Sequence, residues 1–166
     1  HTYNACPMNW TRIDSSCYFI PEDRLNYDEA RQKCHELSNG ARLFEPKTLL
    51  QNQLIHTLAA TTWGVTEGTK DFAWVYTKMT LESKYQTNLN FCFVKTVKIT
   101  ISFQFRDVSN GESLAFENWD ENEPNNSGGN ERCVNFFWYV SVNGTWNDYP
   151  CNINSQFICE KLLKSN

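Results

Sequence analysis

Seven cysteines in 166 residues constrain this chain more than any other feature. They stand at positions 6, 17, 34, 92, 133, 151 and 159, and none of them forms a CxxC pair. An ordinary domain of the reducing cytosol carries fewer, so the count predicts an oxidising compartment and disulfide bonds. We therefore expect a secreted, extracellular protein whose fold is cross-linked. Because the number is odd, at least one cysteine lacks an intrachain partner.

The remaining composition predicts a single folded domain over residues 1–166. Hydrophobic residues make up 40% of the chain and aromatic residues 14%, which is enough to build a core at this length. No apolar run approaches the ~20 residues of a membrane-spanning helix, so we expect no membrane insertion. The net charge is −4 with lysine and arginine dispersed, so no nucleic acid partner is expected.

The first 40 residues predict a hairpin and an amphipathic helix. Aromatic residues and two cysteines near the start favour a short hairpin closed by a bridge from Cys6 to Cys17, which adds about 2–3 kcal/mol of stability. Apolar residues then recur at steps of three and four, which predicts a helix over residues 26–38 with Asn26 as its N-cap. Cys34 lies on the apolar face of this helix, ready to reach another part of the chain.

A second helix is predicted over about residues 48–60. Its apolar stripe predicts a plain core helix and consists of Leu50, Leu54, Ile55 and Leu58. The first helix also carries His35, and the second carries His56. Helical histidines lie at the surface or in a cap far more often than they bind metal, so we expect no histidine-based metal site.

After Trp74 the apolar pattern changes to period 2. The alternation is clearest over residues 91–105 and predicts a long, half-buried strand or hairpin. Cys92 falls on the opposite face, so its thiol is expected to point away from the core. An exposed odd cysteine favours an intermolecular disulfide and hence a homodimer, and a free or capped thiol is the equal alternative.

The C-terminal third predicts strands around a turn. The apolar, aromatic run over residues 133–142 predicts a central strand, and Asn143-Gly144 is a hairpin signal. Residues 156–161 form a predicted final strand that carries Cys159.

Five oxygen-bearing side chains between residues 123 and 148 are the most informative feature for predicting the function. Carboxylates and amide carbonyls are hard donors, which suit Ca²⁺ better than Zn²⁺ or copper. Calcium takes about six to eight oxygens, so five side chains and one backbone carbonyl leave roughly two positions for ligand hydroxyls. Three carboxylates against a divalent cation give a nearly neutral site, which favours neutral polyols. The five donors are Glu123, Asn125, Glu131, Asn147 and Asp148.

An acidic, Asn-rich surface loop is the alternative interpretation of residues 120–131 alone. The Trp146-Asn147-Asp148 segment shifts the balance, because two separated segments then each supply ligands. A bridge between Cys133 and Cys151 would clamp them together.

Three Asn-x-Ser/Thr sequons are compatible with the same compartment. Asn9 and Asn143 are candidate N-glycosylation sites. The third sequon begins at Asn125, where a glycan would remove a predicted ligand.

An ordered set of marks over nearly the whole chain resembles the C-type lectin family, the calcium-dependent carbohydrate-recognition domains. The marks are the segment 114–119 ahead of Glu123-Pro124-Asn125, the segment 143–148 after it, and the cysteine order of the family's long form. The resemblance implies an α+β fold with two helices packed on antiparallel sheets and long calcium-organised loops. It also implies three intrachain disulfides, which join Cys6 to Cys17, Cys34 to Cys159, and Cys133 to Cys151.

The resemblance further implies the function. In sugar-binding members the residues that match Glu123, Asn125, Glu131, Asn147 and Asp148 hold calcium and hydrogen-bond the sugar, whose vicinal hydroxyls coordinate the ion directly. The Glu-Pro-Asn order is associated with mannose-type ligands such as mannose, fucose and GlcNAc. We therefore expect a glycan-binding glycoprotein without catalytic activity, directed at cell-surface or microbial glycans and typical of innate immunity.

Several alternatives stay open. An aromatic ring stacked on the sugar could give galactose-type specificity, although Trp119, Trp138 and Trp146 are each better explained as core residues. A protein-binding module of the same fold is a second alternative. A hydrolase with paired carboxylates is disfavoured, since the chain has neither a GxSxG nor an HExxH motif. Two departures from the family pattern, Asn126 and Arg132, argue against an auxiliary calcium site.

Overall fold

The computed structural model describes residues 5–64, 72–86, 98–107, 113–137 and 144–163. These residues form two helices, nine strands and one short 3-10 turn. In chain order they are β1 (Thr11–Ile13), β2 (Ser16–Phe19), α1 (Tyr27–Leu37), β3 (Arg42–Leu43), α2 (Leu49–Trp63), β4 (Phe72–Gln86), β5 (Lys98–Asp107), the 3-10 turn (Ser127–Gly129), β6 (Glu131–Phe137), β7 (Trp146–Pro150), β8 (Gln156–Phe157) and β9 (Cys159–Leu162).

The strands form two sheets. The first has the order β1-β2-β9-β3 and the second the order β5-β4-β6-β7, with β8 paired in parallel to β4. Strand β6 lies between β4 and β7, so the predicted central strand over residues 133–142 is confirmed as far as residue 137. The rest of that prediction, the turn residue Asn143 and Cys92 lie outside the described residues.

The predicted final strand is divided in two. Strand β8 joins the second sheet and β9 joins the first, so the chain changes sheets at Ile158. This residue is fully buried, and its carbonyl accepts a hydrogen bond of 2.8 Å from the backbone N–H of Phe44. The prediction of one continuous strand over residues 156–161 was therefore wrong, because these residues tie the two sheets together.

Helix α1 confirms the first helix prediction. The Asn26 side chain accepts a hydrogen bond from the Glu29 backbone N–H at 3.0 Å, and the Glu29 carboxylate accepts one from the Asn26 N–H at 3.2 Å. This reciprocal capping box satisfies two backbone donors that the first turn leaves free. The buried face contains Tyr27, Ala30 and Cys34.

Helix α2 exists as predicted, but it buries a different face. Its Leu50 and Leu54 are 66% and 45% exposed, so the predicted apolar stripe is only partly buried. The buried residues follow the spacing i, i+3, i+4 and i+7, and they are Asn52, Ile55, His56 and Ala59. A polar side chain is tolerated inside a protein when its hydrogen bonds are made. Asn52 meets this condition through contacts with the chain around Trp146.

His56 is buried, which corrects the expected surface or cap position. Its ring lies edge-to-face against Phe136 with the centroids 5.5 Å apart. Burial disfavours the charged imidazolium and lowers the pKa of His56 from 6.5 to about 4. His35, in contrast, lies exposed on α1.

We expect His56 to make the fold acid-sensitive. Between pH 6.5 and pH 4 the unfolded chain takes up a proton at His56 that the folded chain does not, so stability falls as the pH falls. The loss reaches about 3 kcal/mol at most. The raised pKa values of Glu123, Glu131 and Glu160 act in the opposite direction, so the contribution of His56 is measured as a difference between variants. From pH 7 to pH 4.5 the free energy of unfolding in urea should fall more, or rise less, in the wild type and in His35→Gln than in His56→Gln. The same change in the free energy of unfolding in all three proteins would contradict the expectation.

The three disulfides implied by the family resemblance are all present. They join Cys6 to Cys17, Cys34 to Cys159, and Cys133 to Cys151, with Cα–Cα distances of 5.5, 5.3 and 5.2 Å. The second bond connects α1 to β9, and the third connects β6 to the residue that follows β7. Among the described residues, no helix is long and apolar enough to cross a membrane.

Gly144 leads into β7 and leaves no room for a side chain. Its φ is +66°, and a Cβ atom there would lie 2.8 Å from Asn52 Nδ2 and 3.0 Å from His56 Cβ. Gly40 has a similar φ of +80°, but a Cβ atom added to it would have no neighbour within 4 Å. Gly40→Ala therefore adds only the cost of the left-handed backbone, whereas Gly144→Ala adds steric overlap to that cost.

We expect Gly40→Ala to lower the free energy of unfolding by about 1 kcal/mol and Gly144→Ala by about 3 kcal/mol. Urea denaturation of the two variants measures the difference. Equal losses would show that the chain around Asn52 and His56 shifts without cost.

Candidate functional site

The first part of the candidate site is the Glu123-Pro124-Asn125 segment. The Glu123–Pro124 peptide bond is cis. Asn125 donates to the Glu123 carboxylate twice, from its side-chain Nδ2 to Oε1 at 2.9 Å and from its backbone N–H to Oε2 at 3.1 Å. A hydrogen-bond acceptor and a hydrogen-bond donor therefore stand side by side near the surface, with Asn125 exposed and Glu123 half-buried.

Strand β7 supplies a fully buried carboxylate to the same place. Asp148 Oδ1 accepts from the backbone N–H of Asn125 at 2.9 Å, and Oδ2 accepts from that of Asn126 at 2.8 Å. Two charge-assisted bonds thus hold the residues after Pro124 against β7. The sequence places these partners more than 20 residues apart, and the β7 carboxylate brings them together.

Glu131 closes the site from the start of β6. Its Oε2 accepts from the Ser127 backbone N–H at 2.7 Å, and the same N–H also contacts Asn125 Oδ1 at 2.8 Å. Asn126, with a positive φ of 48°, accepts from the Glu131 backbone N–H through its side-chain oxygen at 3.1 Å. Four of the five predicted donors are therefore linked through the turn at residues 125–127.

The fifth predicted donor has a different contact. Asn147 lies beside Asp148 on β7 and is buried, and its amide nitrogen approaches Asn135 Oδ1 on β6 at 3.5 Å. This distance is at the long end for a hydrogen bond. Strand pairing places Asn135 directly opposite Asn147.

The three carboxylates influence one another electrostatically. Burial and the neighbouring Asp148 raise the pKa of Glu123 to about 7, and the charge of Glu131 contributes in the same direction. Burial also raises the pKa of Glu131, with a further contribution from the charge of Asp148. Partly buried negative groups that repel one another favour a bound cation, because a positive charge offsets both their repulsion and their loss of water.

The donor set is compatible with calcium. Within the part of the chain that the structure describes, no three acidic, histidine or cysteine side chains converge closely enough to hold a metal alone. A metal at this loop would therefore draw on amide oxygens as well as carboxylates. Such mixed oxygen ligation is typical of Ca²⁺.

The sequence prediction missed the residues that shape this loop. Asn126 and Ser127 present backbone N–H groups to the carboxylates of Asp148 and Glu131, whereas the family pattern marks Asn126 only as a replaced acid. A Ser-Gly-Gly sequence after two asparagines does favour a tight turn, and this was the available signal. The side chain of Arg132 is exposed.

The tryptophans near the site belong to the core where the structure describes them. Trp146 is 1% exposed and packs edge-to-face against Phe116 and Trp119, with ring centroids 5.6 and 5.7 Å away. Trp146 therefore cannot stack on a sugar. Trp138 and Asn143 lie outside the described residues, and Asn9 is exposed at the N-terminal end.

A second polar cluster lies under the N-terminal hairpin and shares no residue with the site. Glu160 is almost fully buried, and its Oε1 accepts hydrogen bonds from Tyr18, Gln51 and Ser16 at 3.2–3.3 Å. Burial raises the pKa of Glu160. A cavity of ≈ 200 Å³ beside this cluster is lined by Gln51 and other residues of β2 and α2.

Comparison with known proteins identifies the family. The family model of the Lectin C-type domain matches residues 23–161. C-type lectin domain family 4 member M of Hylobates lar is 28% identical over 94% of this chain, and member E of Mus musculus is 27% identical over 95%. The chain spans only 31% and 60% of the lengths of these two proteins.

The fold is also that of solved C-type lectin structures. The carbohydrate-recognition domain of cow CD23, crystallised in the presence of a GlcNAc2Man3 oligosaccharide, superposes with a TM-score of 0.67 at 21% identity. The superposition covers 98% of this chain and 99% of the CD23 chain. The predicted α+β fold, with two helices, antiparallel sheets and three disulfides, is thereby confirmed. This chain belongs to the family of the Lectin C-type domain, a membership that supports a carbohydrate-binding function.

Proposed function

We propose that the chain is a calcium-dependent lectin that binds terminal monosaccharides of the mannose type, with mannose, fucose and GlcNAc favoured. One observation carries the proposal: carboxylates from two separated segments meet around the turn at residues 125–127. A bound cation would offset the repulsion among these carboxylates, and Asn125 at the exposed side of the loop is accessible to a ligand. Family membership points in the same direction, since C-type lectin domains are generally calcium-dependent.

The residues proposed to hold calcium are Glu123, Asn125, Glu131, Asn147 and Asp148. When bound, calcium supplies positive charge and open coordination positions for two vicinal hydroxyls. The buried Asp148 carboxylate holds the loop by accepting hydrogen bonds from the backbone N–H groups of Asn125 and Asn126. The other donors are therefore positioned before a ligand arrives.

Glu123 and Asn125 are proposed to recognise the sugar hydroxyls through hydrogen bonds. A hydroxyl can donate to one group while it accepts from another, and here an acceptor and a donor stand 2.9 Å apart. A sugar hydroxyl between them would exchange their mutual hydrogen bond for two bonds to itself. No covalent bond changes in this process, so we propose binding without catalysis.

We also propose a cellular location and an oligomeric state for the protein. Three disulfides favour an oxidising, extracellular compartment, so we propose a secreted protein. We further propose a glycoprotein with a role in innate immunity, with Asn9 and Asn143 as its candidate glycosylation sites. A small, exposed site gives low affinity, and a millimolar dissociation constant corresponds to about −4 kcal/mol. A homodimer linked through Cys92 would raise the avidity by linking two sites.

A glycan array probed in calcium and in EDTA tests the function. We expect signals on mannose-, fucose- or GlcNAc-terminated glycans in calcium, and we expect EDTA to remove them. Galactose-terminated glycans on the same array provide the control for specificity. Binding that persists unchanged in EDTA would reject the proposal, and signals only on galactose would support the alternative specificity.

A protein-binding module of the same fold is the second candidate. Leu49, Leu50 and Leu54 are exposed at the start of α2, and neighbouring exposed apolar side chains can mark a protein-binding surface. A silent array together with intact calcium binding would favour this candidate.

A further inference from the structure

Asn52 of α2 connects the helix to the candidate site. It is fully buried, yet it lies more than 90 residues from its partners in the sequence. Its Nδ2 donates to the Gly144 carbonyl at 2.8 Å, and its Oδ1 accepts from the Trp146 indole Nε1–H at 2.9 Å. Both partners belong to the stretch of chain that leads directly into Asn147 and Asp148.

Trp146, in the same stretch, is also hydrogen-bonded to the segment that leads to Glu123. The Trp146 backbone N–H donates to the Asn118 carbonyl at 2.7 Å, and the Trp146 carbonyl accepts from the Asp120 N–H at 2.9 Å. The Glu123 N–H then donates to the Asp120 carbonyl at 3.0 Å. Hydrogen bonds thus lead from Asn52 through Trp146 and Asp120 to Glu123.

Gly144 strengthens this connection. Its carbonyl accepts from Asn52 and also from the Asn118 side chain, at 2.8 and 2.9 Å. One carbonyl therefore joins the helix, the chain before β7 and the chain that leads to Glu123. Because Gly144 has no side chain, the Asn52 amide can approach this carbonyl; a Cβ atom at Gly144 would lie 2.8 Å from Asn52 Nδ2.

We propose that Asn52 is a positioning residue of the calcium site, which sets the two ligand-bearing segments at their working separation. The proposal rests on the proposed function. Asn52 touches none of the five proposed ligands in the contacts described above, so it acts through Trp146 and Gly144. An asparagine suits this role because it donates from one end of its amide and accepts at the other.

Two substitutions at Asn52 and one at its neighbour provide the test. Asn52→Leu keeps the approximate volume but removes both bonds, and Asn52→Ala leaves room for water to replace them. Gln51→Leu is the matched control on the same helix. It removes side-chain hydrogen bonds to Tyr18 at 3.0 Å and to Glu160 at 3.3 Å, in the cluster that shares no residue with the site.

Calcium affinity by titration calorimetry, stability in urea and amide hydrogen exchange of the calcium-free protein are measured for each variant. We expect Asn52→Leu to weaken calcium binding about tenfold, as substitutions behind metal ligands typically do. We also expect faster exchange at the Asp120 and Trp146 amides. Gln51→Leu should lower stability but keep the wild-type calcium affinity and the wild-type exchange at these amides.

The outcomes separate the two proposals. Equal calcium affinities in Asn52→Leu and Gln51→Leu at comparable stability would overturn the positioning role. If Asn52→Leu does not fold, Asn52→Ala decides, and wild-type calcium affinity and exchange in that variant would also overturn it. A wild-type protein that binds no calcium would instead reject the proposed function, and the calcium role of Asn52 with it.

Discussion

Asp148→Asn is expected to lower calcium affinity by about two orders of magnitude or more and to loosen the turn at residues 125–127. The substitution removes one of three negative charges, and ligand charge is a main determinant of calcium affinity. It also replaces an acceptor oxygen by an NH₂ group that faces a backbone N–H of Asn125 or Asn126. The buried site cannot supply water freely, so one backbone donor loses its partner.

Titration calorimetry with calcium measures the effect. Glu121→Gln is the matched control, because Glu121 is exposed on the same segment and its substitution removes the same charge. Its calcium affinity should stay within about twofold of the wild type, since solvent screens a charge that makes no direct contact with the ion. A comparable loss in both variants would show that the overall charge of the loop, and not Asp148, controls binding. Wild-type affinity in Asp148→Asn would remove Asp148 from the ligand set.

Helix periodicity predicted α1 better than α2, and the difference has a physical cause. In α1 the buried residues Tyr27, Ala30 and Cys34 are all apolar, so the sequence pattern shows the buried face directly. In α2 the buried face contains Asn52 and His56. A search for apolar stripes treats such residues as exposed, because the partners that make their burial favourable lie far away in the sequence.

The sequence predicts which side chains supply oxygen ligands to the candidate site, but it does not predict the contacts that hold them in place. Glu123, Glu131 and Asp148 are apparent as oxygen donors from their spacing and from the family resemblance. The backbone N–H groups of Asn126 and Ser127 that hold these carboxylates depend on the loop conformation, including the positive φ of Asn126. Side-chain type alone does not contain that information.

The change of sheet at Ile158 was hidden for a similar reason. Strands β8 and β9 together contain a short run of apolar and polar residues that is compatible with one strand. Strand β8 pairs with β4, whereas β9 pairs with β2 and β3, and all three partners lie far from residues 156–162 in the sequence. The disulfide pairing was predicted correctly, because the family resemblance pairs cysteines that lie far apart in the sequence.

Replacing both Cys34 and Cys159 by alanine is expected to cost about 5 kcal/mol of folding free energy. The bond closes a loop with a sequence separation of 125 residues, and the entropy of the unfolded chain rises with loop length when the bond is removed. Domains are stable by about 5–15 kcal/mol in total, so this variant should be partly unfolded at room temperature. Urea unfolding monitored by circular dichroism measures the loss.

The Cys6→Ala and Cys17→Ala double variant is the control, because its bond spans a sequence separation of only 11 residues. We expect a loss of about 3 kcal/mol and a folded protein with the wild-type calcium affinity. The difference between the two variants isolates the dependence on loop length, since each removes one disulfide from the same chain. Equal losses would show that strain or residual structure in the unfolded state outweighs chain entropy. A larger loss for the short loop would mean that the N-terminal hairpin, rather than the connection between α1 and β9, limits the stability of the fold.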